Sequence, residues 1–163
     1  MSEKRLPVLK LLEERGIQYE LVDHPAAYTI EEMDKLALPH AGAVVKNLFL
    51  RDPKGRRFFL VTLPGEKRAD LKALGEQLGV KLSFASEERL GEKLGLEKGA
   101  VTPFGILNDG EHRVEVLFDQ DIQAMPLMGV HPNENIATVF LAPADLAGLI
   151  RAQGNPFDWV ALP

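Results

Sequence analysis

An α+β fold with a mostly antiparallel or mixed sheet is what this 163-residue sequence predicts. Three observations lead there. Paired strand-like runs are interspersed with single helices, and no regular strand–helix–strand alternation runs along the chain, which disfavours a doubly wound sheet. The composition, 45% apolar and 26% charged, is that of a globular chain at the size of one domain with one core.

The elements follow in order. Leu6, Val8, Leu9, Leu11 and Leu12 make a helical apolar stripe over residues 3–15, closed at Gly16. A short strand at 19–22 stops at His24-Pro25, because proline lacks an amide donor and holds the residue before it extended. Thr29 with Glu32 three positions on is a capping box, so a second helix is expected over 30–36. The runs 44–51 and 57–63, split by Asp52-Pro53-Lys54-Gly55-Arg56, read as a hairpin. Residues 70–78 are helical up to Gly79, 81–84 are strand-like, and Ser86 caps a helix over 87–94 that ends at Gly95. A Gly/Pro-bounded loop at 99–105 leads to strands at 105–107 and 114–119 around a turn at Asn108-Asp109-Gly110. A strand at 136–141, a helix over 144–153 started by Pro143, and a last strand at 157–160 complete the pattern.

Composition narrows the chemistry. Without cysteine there is no disulfide, thiolate nucleophile or Cys-bound metal. Serine occurs only at Ser2, Ser83 and Ser86, none in a G-x-S-x-G elbow, so hydrolysis here needs water or the substrate itself as nucleophile. His24, His40 and His112 stand singly, and no catalytic metal is expected. No apolar run approaches the ~18 residues that span a bilayer, and the N-terminus has mixed charge rather than an apolar signal core. A cytoplasmic protein without a membrane partner is expected.

The net charge of -5 is uneven: residues 46–81 carry nine basic and four acidic side chains, while both flanking segments are acidic. This basic stretch could meet a few phosphates locally, or be a solvated hairpin and helix. Within it, period-two counting puts Lys46 on the face of Val44, Leu48 and Leu50, where its ammonium could enter a cleft and bind an anionic ligand or could snorkel to solvent. Asn47 falls on the other face unless the strand entrance or a bulge breaks the alternation. In Gly129-Val130-His131-Pro132, a glycine free to take positive φ and a rigid proline flank a histidine, a turn able to aim amides and an imidazole at one point or simply to cap a loop. The small residues at 99–103 admit close approach to backbone, without Walker spacing.

Together, K-N-L-F-L-R-D at 46–52, G-A-V-T-P-F-G at 99–105, N-D at 108–109 and G-V-H-P-N at 129–133 resemble the YbaK/prolyl-tRNA synthetase-associated editing domain family, most closely its PrdX or ProXp-ala branch. Residues 29–32 and 65–72 also fit that branch, so the similarity runs from about residue 6 to 158.

The resemblance implies a central mixed, barrel-like sheet surrounded by helices, one editing domain over 1–163, and hydrolysis in trans of alanine wrongly attached to proline tRNA. It implies no metal and no organic cofactor. The family's essential lysine falls on Lys46, its asparagine on Asn47, its G-x-x-x-P loop on Gly99 and Pro103, and its G-x-H-P turn on Gly129, His131 and Pro132; Thr102 and Val130 belong to the same binding loops. Catalytic roles then fall to Lys46, Asn47 and His131, and tRNA contacts to Arg51, Arg56, Arg57, Lys67 and Arg68. On this reading, amides of the 129–132 turn hold the oxyanion, a ribose hydroxyl activates water, and the 129 turn with Thr102-Pro103 encloses a cavity sized for alanine. The partners are the tRNA(Pro) acceptor end and, transiently, prolyl-tRNA synthetase or an elongation factor, with the protein a monomer. The alternatives are the same chemistry on cysteinyl- or seryl-tRNA, a non-catalytic tRNA- or synthetase-binding module, and a metal-dependent esterase.

Overall fold

A computed structural model describes residues 3–163. Helix α1 (Leu6–Glu14) buries Val8 and Leu12, and Gly16 beyond it takes the positive φ that closes a helix. Strand β1 (Tyr19–Asp23) and helix α2 (Ile30–Lys35) follow, the latter opened by Thr29 Oγ1 accepting from Glu32 N at 3.0 Å. The hairpin β2 (Val45–Arg51) and β3 (Phe58–Pro64) pairs in unbroken antiparallel register, from Val45 against Pro64 to Arg51 against Phe58. Helix α3 (Leu71–Leu78), strand β4 (Ser83–Phe84) and helix α4 (Glu87–Leu94) come next, with Asp70 and Ser86 capping the two helices and a left-handed glycine ending each. Strands β5 (Glu115–Asp119), β6 (Met128–Val130) and β7 (Ala137–Leu141), helix α5 (Pro143–Gln153) and strand β8 (Phe157–Val160) complete the chain.

The strands form two sheets. One, ordered β1-β7-β6, is antiparallel throughout. The other, β4-β2-β3-β5-β8, is antiparallel up to β3 and parallel from β3 to β8. A parallel bridge between Val44 and Gly129 joins them, so the mixed, mostly antiparallel assembly is barrel-like without strict closure. One apolar cluster runs from α1 past Phe49 and Leu60 to Phe104, Phe118 and α5; a second packs Leu50, Phe59, Val61 and Leu63 against Leu74 of α3. The hairpin is therefore covered on both faces and makes a stiff base for whatever projects from its edge. No helix among the described residues is long and apolar enough to cross a membrane.

Two local expectations are corrected. Residues 105–107 are not a strand: Pro103–Asn108 is a 3-10 helix, with proline at its first position and Thr102 Oγ1 accepting from Phe104 N, which turns Phe104 and Ile106 into the core. Residues 128–130, expected in a turn, are strand β6, and Gly129 does not have positive φ. Glycine is needed there for space, since a Cβ would lie 2.6 Å from Phe140 Cε1 and 3.1 Å from Thr138 Cγ2.

Candidate active site

A cleft of about 660 Å³ opens between the entrance of β2, the start of α2, the loop carrying Gly99 and Val101, and His131. Lys46, Asn47, Gly99 and His131, drawn from three distant stretches of chain, share its wall. Lys46 and Asn47 both reach it although the β2/β3 register contains no bulge. β4 pairs only with Leu50 and Arg51, which leaves the outer edge of β2 at Lys46 and Asn47 uncovered by that strand and beside the cleft. The register is regular through Lys46 and Asn47, so neither a bulge nor the strand entrance breaks the alternation there.

Lys46 makes no ion pair among the described residues. Burial, and then the like charge of Arg68, push its ammonium below the ordinary lysine value. Lys46 is thus a partly buried cation beside a second cation, with no carboxylate paired to it among the described residues. Asn47 Oδ1 accepts from Thr62 Oγ1 at 2.6 Å, across the hairpin, which fixes the amide's orientation and leaves its NH2 as donor to a ligand.

His131 Nδ1 lies 2.8 Å from Ala137 O. A carbonyl only accepts, so Nδ1 carries the hydrogen and, in the neutral ring, Nε2 offers a lone pair. Burial draws the imidazole below its ordinary pKa, against the opposing bond to Ala137, and nearby His24 adds to the lowering. His24, whose ring centroid is 5.9 Å away, donates from Nδ1 to Pro25 O at 2.8 Å, and its Nε2 is hydrogen-bonded with Thr138 Oγ1 at 2.8 Å. The backbone of His131 is held as well: Thr102 Oγ1 donates to His131 O at 2.6 Å. Three residues on, Glu134 receives Arg5 Nε at 2.5 Å, and Arg5 Nη1 also reaches Asp23 Oδ1 at 2.7 Å, pinning the loop after His131 to the start of α1 and the end of β1.

The other candidates sit behind this wall or away from it. Thr102, Pro103, Gly129, Val130 and Pro132 are buried and lie outside the cleft lining, as supports of His131 and Val101. Gly129 has a strand neighbour on either side, Phe140 and Val44, rather than a free turn. Arg57 grips Glu115 with two bonds of 3.0 and 2.9 Å, and Lys67 Nζ sits 2.7 Å from Asp119 and 3.1 Å from Asp121. Arg51 turns back to the carbonyls of Asp52 and Pro53, and Arg56 borders a second, smaller hollow with Glu92 and Glu111. Of the five basic candidates, Arg68 is the one whose charge reaches Lys46.

Sequence reasoning missed the opposite wall, made by Tyr28, Ile30, Glu31 and Met33 at the start of α2. The capping box located that helix, but nothing local indicated that it would overhang the edge of β2. Among the described residues no three His, Asp or Glu side chains gather as a metal site.

A family model for the aminoacyl-tRNA editing domain matches residues 24–149. The chain belongs to that family. Among the relatives of this editing domain is the prolyl-tRNA editing protein ProX of Acetoanaerobium sticklandii, 47% identical with 99% of each chain covered. The prolyl-tRNA synthetase associated domain-containing protein 1 of Mus musculus is 36% identical, with 94% of each covered. A crystal structure of a proposed trans-editing enzyme for prolyl tRNA synthetase superposes with a TM-score of 0.79 over 99% of this chain and 98% of that one; at 24% identity this likeness concerns the fold.

Proposed function

We propose that this editing domain, acting as a cytoplasmic monomer, removes alanine wrongly attached to proline tRNA, in trans and with water as nucleophile. The observation that carries the reading is the convergence of Lys46, Asn47, Gly99 and His131 on one cleft. Similarity to the Acetoanaerobium sticklandii editing protein supports the choice of prolyl-tRNA.

Lys46 takes the terminal phosphate or ribose, and the Asn47 NH2 donates to a second oxygen, so that the ester is held at a fixed place along the β2 edge. Gly99, whose missing side chain makes room for the Tyr28 ring, forms part of the wall beside the aminoacyl group. Water attacks the ester carbonyl, the bond to the ribose oxygen breaks, and alanine leaves with the tRNA restored. The neighbouring ribose hydroxyl activates that water, and neutral His131 orients the pair by accepting a hydrogen bond at Nε2. Because Gly129 is taken up between two strands, the sieve for small side chains is assigned to Gly99, Val101 and His131 instead.

Such a sieve answers a limit of the synthetase: a pocket shaped for proline rejects a smaller side chain by only ~1–3 kcal/mol per methylene. The test offers the protein tRNA(Pro) carrying alanine, cysteine, serine or proline, with and without EDTA. Release of alanine in both conditions with proline retained is expected; equal release of proline would overturn the specificity, and inhibition by EDTA the metal-free mechanism. A substrate lacking the terminal 2′-hydroxyl should be hydrolysed far more slowly, and an unchanged rate would contradict substrate assistance.

A further inference from the structure

We propose that Tyr28 is the platform on which the terminal base of the substrate's CCA end stacks, an inference that rests on the reading of the chain as a hydrolase of aminoacyl-tRNA. Tyr28 is 61% exposed on the rim of the cleft. Large rings are ordinarily covered when folding alone decides their place. The Cδ1–Cε1 edge of this ring lies against the main chain: a Cβ built on Gly99 would fall on Tyr28 Cδ1 and, at 2.7 Å, on Cε1. Gly99 also takes a φ of +87°, so both its conformation and its missing side chain suit a backbone that an aromatic ring must lie against.

The ring is held in place from its own backbone. Tyr28 N donates to Glu32 Oε2 at 2.5 Å while Glu32 N donates to Thr29 Oγ1 at 3.0 Å, a reciprocal clamp at the entry to α2. The Tyr28 hydroxyl has no hydrogen-bond partner among the described residues, so the fold does not employ it. The result is an aromatic ring held along one edge, otherwise largely exposed, and sharing a cleft with Lys46, whose charge Arg68 feels from outside the lining. An aromatic face for a base beside a cation for its phosphate is the combination by which proteins hold unpaired RNA ends. The other large exposed aromatic, Phe84, lies on β4, outside the cleft lining.

The experiment uses a short, uncharged RNA copy of the acceptor end whose terminal base is 2-aminopurine, a fluorophore quenched on stacking. Wild type and Tyr28→Phe should quench it on binding, whereas Tyr28→Leu should bind about ten-fold more weakly and leave the fluorescence unquenched at saturation. In deacylation of alanyl-tRNA(Pro), kcat/KM should fall by about the same factor in Tyr28→Leu and stay near wild type in Tyr28→Phe. A substrate ending in a ribose without a base should cost wild type that factor and cost Tyr28→Leu nothing further. Quenching by Tyr28→Leu equal to wild type, no quenching by wild type, or multiplication of the two penalties would overturn the proposal. Quenching that depends on Tyr28 in a protein that hydrolyses no aminoacyl ester would support the platform and sink the hydrolase reading; hydrolysis without Tyr28-dependent quenching would do the reverse.

Discussion

Replacing Lys46 by methionine separates a binding role from a structural one, because the two predict opposite signs. A charge-assisted hydrogen bond to a phosphate or ribose oxygen is worth about 1.5–3 kcal/mol, so losing it should lower kcat/KM for alanyl-tRNA(Pro) by about 10- to 150-fold. Stability should move the other way or stay level. The ammonium forms no ion pair among the described residues, and burial and Arg68 lower its pKa, so the folded state disfavours its charged form. A lysine pKa lower in the folded than in the unfolded state means that the unfolded chain holds the proton more tightly. The penalty is complete below the folded pKa, fades as pH rises from the folded to the unfolded value, and is absent above it. Methionine of similar length removes it, so the variant's Tm at neutral pH should equal or exceed that of wild type, with the gain vanishing in strong alkali. Release of labelled alanine and thermal melts at two pH values measure both quantities. Wild-type turnover would refute the anion-binding role, and a clear fall in Tm would show that Lys46 serves the fold.

His131 has its pKa lowered by burial, so the unfolded chain takes up the proton first as pH falls; wild-type stability should drop relative to His131→Gln below about pH 6.5, and a pH-independent Tm difference would contradict this. Gly129→Ala forces a methyl against Phe140 and Thr138 and should destabilise by about 1–3 kcal/mol in urea unfolding; an unchanged midpoint would mean that the close contact relaxes freely. Arg5 is 4% exposed and Glu134 7%, so removing Arg5 leaves Glu134 a buried unpaired charge and should cost about 3–5 kcal/mol, whereas removing Glu134 leaves Arg5 paired with Asp23 and should cost less. The double variant Arg5→Met/Glu134→Leu should lose much less than the sum, and strict additivity in a double-mutant cycle would deny the coupling.

Local chemistry made much of this fold legible. Thr29, Asp70 and Ser86 each accept from the amide three residues on, and Gly79 and Gly95 end the helices that the last two begin. What escaped the sequence is non-local. Met128–Val130 is too short to show a period of two and becomes a strand because β7 and Val44 flank it; its glycine answers to Phe140, eleven residues away and directly across the ladder. Arg57 and Lys67 read as a basic patch, yet their partners lie 58 and 54 residues further on, where no segment-by-segment charge count finds them. The site divides in the same way. Lys46, Asn47, Gly99 and His131 were marked by their motifs, but that they border one cleft depends on β4 covering only Leu50 and Arg51 of β2 and on where the loops of Gly99 and His131 pack. Tyr28 carried no signal, since a rim aromatic and a core aromatic look alike in sequence.

The central claim is that the end of a mischarged tRNA lies between Lys46 and His131. The most direct measurement is an NMR titration of the protein with a short acceptor-end RNA carrying alanine through a non-hydrolysable amide. Shifts centred on Lys46, Asn47, Gly99 and His131 are predicted. Shifts confined to the hollow beside Arg56, Phe58 and Lys93, with the cleft residues unmoved, would contradict the account.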